Sequence, residues 1–79
     1  MKDSNFEKLK LIFIDILKLD KNADLEKLTK LSQPNWDSLA QVSLISAVAN
    51  EFSLKIEANE FEMFSSFKSI KILLEDKGI

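Results

Sequence analysis

Seventy-nine residues, 46% hydrophobic and 30% charged, make one domain spanning 1–79, too apolar to be disordered and too small for a deep catalytic cleft to be expected. Neither cysteine nor histidine is present, which excludes disulfides, zinc–thiolate sites and the usual nucleophile–base pairs, so the chain is not expected to be an enzyme. Thirteen acids against eleven cations, all of them lysine, give a net charge of −2, unlike the basic surface of a nucleic-acid binder, and one Gly with one Pro is too few turn formers for an all-β chain.

Taken in chain order, Ser4-Asn5-Phe6-Glu7 fits a capping box and predicts a helix start. Phe6, Leu9, Phe13, Ile16 and Leu17 then recur at helical spacing, widened by Leu11, Ile12 and Ile14. Charges interrupt this segment every few positions, so it is no secretory signal. The apolar run Leu11–Ile14 is far short of the roughly twenty residues that span a bilayer. A cytoplasmic chain with no membrane partner is expected.

From Leu19 to Asn35 runs a long connection rich in turn and cap formers. Leu25, Leu28 and Leu31 predict a turn or two of helix near 24–30, docked on the core. A second helix is predicted over about Ser38 to Phe52, with Leu39, Val42, Ile45, Ala49 and Phe52 on its apolar line, Leu44 and Val48 flanking it, and Gln41, Ser43, Ser46, Asn50 and Glu51 outward. Ser53–Ile56 reads as an extended link, because a lone short strand without a partner is unstable. A very short third helix follows over Ala58–Phe64. Ser65-Ser66 then caps a last one, with Phe67, Ile70, Leu73 and Leu74 facing inward and Gly78 as its stop.

Ser38 stands where the second helix begins. Ser38-x-x-Gln41 is itself a capping box, and Asp37 could cap equally well, so a structural role for this serine stands beside any functional one. The wider pattern is Trp36-Asp37-Ser38-Leu39, an amphipathic helix closed by Glu51-Phe52, Ile56 beyond it, and a Ser-Ser-Phe opening to the last helix. In that order and at those spacings it resembles the acyl carrier proteins over nearly the whole chain. The resemblance implies an all-α, four-helix bundle with a long first loop and a short third helix. It also implies a 4′-phosphopantetheine group, taken from coenzyme A and attached to Ser38, whose terminal thiol holds an acyl group as a thioester. A phosphodiester there is physically sensible, since a helix N-terminus favours negative charge.

On the same resemblance, Asp37 helps a phosphopantetheinyl transferase hold Mg²⁺ and coenzyme A, and the chain itself carries no metal. The implied partners are that transferase and the enzymes that load and consume the acyl group, met by a monomer. Leu39, Val42, Leu44, Ile45, Phe52, Ile56, Phe61 and Ile70 are candidates to shelter the acyl chain or simply to form the core. Candidate partner contacts are Trp36, Leu39, Val42, Ser43, Asn50 and Glu51. Trp36 serves equally as packing for the loop.

The chain departs from carriers of primary fatty acid synthesis, whose second helix usually presents several acids. Here the matching positions are Ala40, Ser43, Ala49 and Asn50, and Glu51 is the only acid on the helix. Exposed charge chiefly sets association rate and partner choice. The thin acidic face therefore favours a specialised pathway, such as polyketide, surface-polysaccharide or aminoacyl chemistry. Primary fatty acid synthesis stays open, because Glu57, Glu60 and Glu62 could supply the acidic face instead. An unmodified helical interaction module is the alternative from a different class.

Overall fold

The computed structural model describes residues 1–79. Three α-helices and two short 3₁₀ helices follow in the order α1 (Asp3–Leu17), η1 (Leu25–Lys27), α2 (Ser38–Glu51), η2 (Ala58–Met63) and α3 (Phe67–Asp76), without strands. This is the expected all-α plan with a long first loop and a short third helix, η2. No helix is long and apolar enough to cross a membrane.

α1 buries Leu9, Phe13 and Leu17 at i, i+4, i+8 and packs along α2, which buries Ala40, Leu44 and Val48 at the same spacing. From α3 come Phe67, Ile70, Leu73 and Leu74, all four as expected, and from the connections Leu25, Leu28, Trp36 and Phe64. No polar side chain is buried. Phe13 lies at the centre, edge-to-face with Trp36 at 5.5 Å and with Phe67 at 5.1 Å, contacts worth about 0.5–1.5 kcal/mol each beyond burial. Phe13 thereby joins the long first loop and α3 to α1.

Each α-helix ends in the same way. An amide two or three residues past the last helical residue reaches back five residues: Leu19 to Ile14 O at 3.0 Å, Leu54 to Ala49 O at 2.9 Å and Ile79 to Leu74 O at 2.9 Å. The turning residues Lys18, Ser53 and Gly78 have φ of 57°, 52° and 90°, and only Gly78 is free of the Cβ penalty there. The first loop is tied to the η2–α3 junction by Lys30 N–H to Ser65 O at 2.8 Å and Phe67 N–H to Leu28 O at 3.2 Å.

Four expectations are corrected. α1 begins at Asp3 with Lys2 at the cap position and no side-chain cap bond, so the Ser4–Glu7 box does not form. The Met1 amino group pairs with Glu75 at 3.1 Å, and Asn5 Nδ2 reaches the carbonyl of Ile79. These tertiary contacts draw the chain into the helix early. On the same helix, Leu11 lies outside the buried face, 60% exposed.

In the first loop only three residues are helical. Leu25 and Leu28 are buried but Leu31 is fully exposed, because reciprocal bonds between Thr29 and Ser32 turn the chain away from the core. The α2 stripe is rotated from the expected one, with Leu39 and Val42 exposed at 79% and 65%. η2 is the expected very short third helix; it takes 3₁₀ form and buries none of its own side chains.

Candidate functional site at the start of α2

The three residues before Ser38 are each fastened to the body of the protein. Asn35 Nδ2 donates to the carbonyl oxygen of Leu17 at 3.0 Å, which satisfies an end group of α1. The Trp36 ring is buried against Phe13, and its indole N–H donates to Gln41 Oε1 at 2.7 Å. Asp37 has extended backbone, and its Oδ1 accepts the amide N–H of Ala40 at 2.9 Å, making it the N-cap of α2.

Ser38 is thus the first helical residue and not the cap. It is exposed, and its hydroxyl takes no part in the side-chain hydrogen bonds of the chain. The Ser38–Gln41 capping box does not form, because Gln41 is engaged elsewhere: Oε1 by Trp36, and Nε2 by the carbonyl of Phe61 in η2 at 3.4 Å. The second oxygen of Asp37 has no partner within the chain and faces solvent.

Beside Ser38 the surface of α2 is uncharged, with Leu39 and Val42 as its apolar part. Leu39, Val42, Ser43, Ser46 and Asn50 are all exposed and, at i, i+3, i+4, i+7 and i+11, share one face of α2. Val42 lies one turn above Ser38. The only ionisable residue on the helix is Glu51, at its far end.

Of the candidate partner contacts, the surface therefore presents Leu39, Val42, Ser43, Asn50 and Glu51. Trp36 is the correction: at 3% exposure its ring is core, and the packing alternative holds. No cavity opens between the helices. Among the candidate acyl-sheltering residues, Leu44 and Ile70 are fully buried, Ile45, Phe52 and Ile56 are half-buried, and Leu39, Val42 and Phe61 lie exposed.

Further from Ser38, η2 is tied to the end of α3 by polar contacts. Glu60 Oε1 accepts the N–H of Glu57 at 2.9 Å and its Oε2 pairs with Lys77 Nζ at 3.0 Å. Those two donors, the Glu57 amide first, hold the Glu60 carboxyl below its ordinary range. No group of three or more His, Cys, Asp or Glu side chains gathers into a metal site.

The chain is similar to the acyl carrier protein of Petrotoga mobilis (strain DSM 10674 / SJ95), with 33% identity over 76 residues that cover 96% of this chain and 89% of the relative. The chain belongs to the acyl carrier protein family. No family model matches it, and no solved structure does. Family membership and the helical plan agree with each other.

Two contributors to this region escaped the pattern of residue types. Gln41 counted as an outward helix position, and Asn35 only as a turn former. Each acts through a bond to a residue distant in the pattern, the Trp36 indole or the Leu17 carbonyl, which spacing on one helix does not reveal.

Proposed function

We propose that this chain is a carrier modified on Ser38, where a 4′-phosphopantetheine group holds an acyl intermediate for partner enzymes. One observation carries the assignment: the cap of α2 is made by Asp37, and the neighbouring Ser38 hydroxyl is exposed and engaged in no bond. A serine retained for capping would bond the amides of the first turn, and this one does not.

The residues fit the group. In the transfer, Ser38 Oγ attacks the phosphorus of coenzyme A that bears the pantetheine arm. The Oγ–P bond forms, the bond to the adenosine bisphosphate leaving group breaks, and the hydroxyl proton passes to a base of the transferase. Asp37, with one oxygen on the Ala40 amide and the other free, is placed to offer a ligand to the divalent cation that neutralises the phosphates. The free amides of the first turn of α2 favour the anionic phosphodiester that results. Once attached, the group supplies a thiol at the end of a flexible arm.

The surface beside Ser38 supports a specialised pathway over primary fatty acid synthesis. Leu39 and Val42 followed by Ser43, Ser46 and Asn50 suit a partner whose docking face is apolar and uncharged, since a Lys- or Arg-rich face would find only Glu51 on this helix. Glu57, Glu60 and Glu62 lie on or beside η2, and Glu60 is already paired with Lys77.

The test of the modification is intact mass after incubation of the full chain with coenzyme A, Mg²⁺ and a broad-specificity phosphopantetheinyl transferase. Wild type should gain one phosphopantetheine and Ser38→Ala none. A wild type that stays unmodified, or an Ala variant that still gains the mass, overturns the assignment and leaves the unmodified interaction module as the better function.

A further inference from the structure

Gln41 follows Ser38 by one helical turn and is half-buried. Its amide spans two segments that flank the start of α2, with Oε1 on the Trp36 indole at 2.7 Å and Nε2 on the Phe61 carbonyl at 3.4 Å. An indole N–H can only donate, so the oxygen must face Trp36 and the NH₂ is thereby directed at η2. The Trp36 bond is short and lies in a part-buried setting, where an unpaired donor costs more than a bond gains.

Trp36 immediately precedes Asp37, so the fixed placement of its ring anchors the point from which the backbone enters Asp37 and Ser38. The ring is held by burial in the core, edge-to-face against Phe13, and by the hydrogen bond to Gln41, which fixes the direction of its N–H edge. The geometry points to Gln41 as a positioning residue for the modification of Ser38. It holds the indole, and through it the Asp37–Ser38 backbone, in the orientation that presents the hydroxyl. Its second bond keeps η2 beside the same turn. This inference rests on the assignment of Ser38 above and names a residue that acts on that site without touching the incoming group.

The signature of such a role is a split between rate and affinity. The Gln41 amide bonds Trp36 and Phe61, while Leu39 and Val42 stand exposed, so docking of the transferase should persist while the aim of the nucleophile suffers. A misplacement of about 1 Å can cost up to about a hundredfold in rate. Because the Asp37 cap bond still restrains the turn, a loss of about tenfold is expected here.

The experiment measures kcat and KM for loading of the full-length chain by a broad-specificity transferase, together with the indole N–H resonance of the sole tryptophan. The variants are Gln41→Leu, Gln41→Glu and Trp36→Phe. Gln41→Leu should lower kcat about tenfold with KM within about twofold, and should shift the indole resonance upfield with faster solvent exchange. Trp36→Phe keeps a ring and removes the donor, and should reproduce the kcat loss; it decides the matter if Gln41→Leu does not fold. Gln41→Glu keeps the acceptor and should restore kcat to within about threefold of wild type.

Full kcat in Gln41→Leu or Trp36→Phe overturns the inference, as does a loss that Gln41→Glu fails to restore. A wild type that never loads defeats the Ser38 assignment itself, and that result precedes any variant. Loaded wild type with fully active variants defeats only the role of Gln41.

Discussion

Neighbouring substitutions at Asp37 and Ser38 should have opposite consequences for stability and for loading. Asp37→Ala removes the Oδ1 bond to the Ala40 amide, a cap worth about 1 kcal/mol. It also removes a carboxylate from the positive end of α2, about 0.3–1 kcal/mol more. The sum is about 1–2 kcal/mol. At about 4–8 °C per kcal/mol for a chain of this size, the melting temperature should fall by roughly 5–15 °C. Ser38→Ala deletes a hydroxyl that bonds nothing and installs the best helix former, so its effect should lie between zero and a gain of about 0.5 kcal/mol. Asp37→Asn keeps an equally good cap and loses only the charge, and should fall by no more than about 1 kcal/mol. Paired thermal melts and intact-mass loading assays read both consequences. Ser38→Ala should melt like wild type and never load, whereas both Asp37 variants should load slowly at subsaturating transferase. A Ser38→Ala chain as destabilised as Asp37→Ala would refute the division of labour. An Asp37→Asn chain loading at the wild-type rate would remove the metal-holding role from the carboxylate.

Ser43→Glu with Asn50→Glu places two acids on the exposed face of α2. It should raise turnover by a fatty-synthase transacylase, with the gain fading at higher salt as screening shortens to about 10 Å at 0.1 M. A wild type already matching a fatty-synthase carrier in that assay would favour primary synthesis. Glu60 should make stability depend on acidity. Its folded pKa lies below the ordinary 4.5, so its contribution is complete above that value and is lost as pH falls through the lowered one. Urea melts from pH 7 down to 3 should then fall less steeply for Glu60→Gln, and parallel profiles would dismiss the Glu57–Glu60–Lys77 clasp as a stabilising element. Lys18→Gly and Ser53→Gly relieve left-handed backbone at the ends of α1 and α2 and should each add about 1 kcal/mol or less, read as a higher urea midpoint. An unchanged or lower midpoint would count against that strain.

Where a helix has one dominant apolar face, its burial was legible from residue spacing. Phe67, Ile70, Leu73 and Leu74 of α3 lie on one side with Lys68, Glu75 and Asp76 opposite, and all four are buried. α2 has no such contrast. Apolar residues occur around most of its circumference, so spacing alone admits both the Leu39–Val42–Ile45 line and the Ala40–Leu44–Val48 line. The choice is made at the N-terminus, where Trp36 inserts against Phe13 and Asp37 caps Ala40, turning the small Ala40 toward α1. The start of α1 failed for a related reason. Ser4 and Glu7 satisfy a local rule that contacts from Met1 to Glu75 override.

That rotation of α2 bears directly on function. Had Leu39 and Val42 been buried, Ser38 would open onto the polar positions Gln41, Ser43 and Ser46, and a partner would meet hydrogen-bonding groups. With Ala40, Leu44 and Val48 inward instead, two aliphatic side chains stand in solvent next to the hydroxyl, 79% and 65% exposed. Burying each would stabilise the chain by about 1.5–3 kcal/mol, but that face of α2 has no neighbouring element to cover it. Their exposure is matched by the neighbouring bonds: Asn35 to α1, Trp36 to Gln41 and Asp37 to Ala40 engage the polar groups around Ser38 within the chain. What remains open at the start of α2 is the unbonded Ser38 hydroxyl, the second oxygen of Asp37 and two exposed aliphatic side chains, where, on the proposed assignment, a modifying enzyme would dock and reach the serine oxygen.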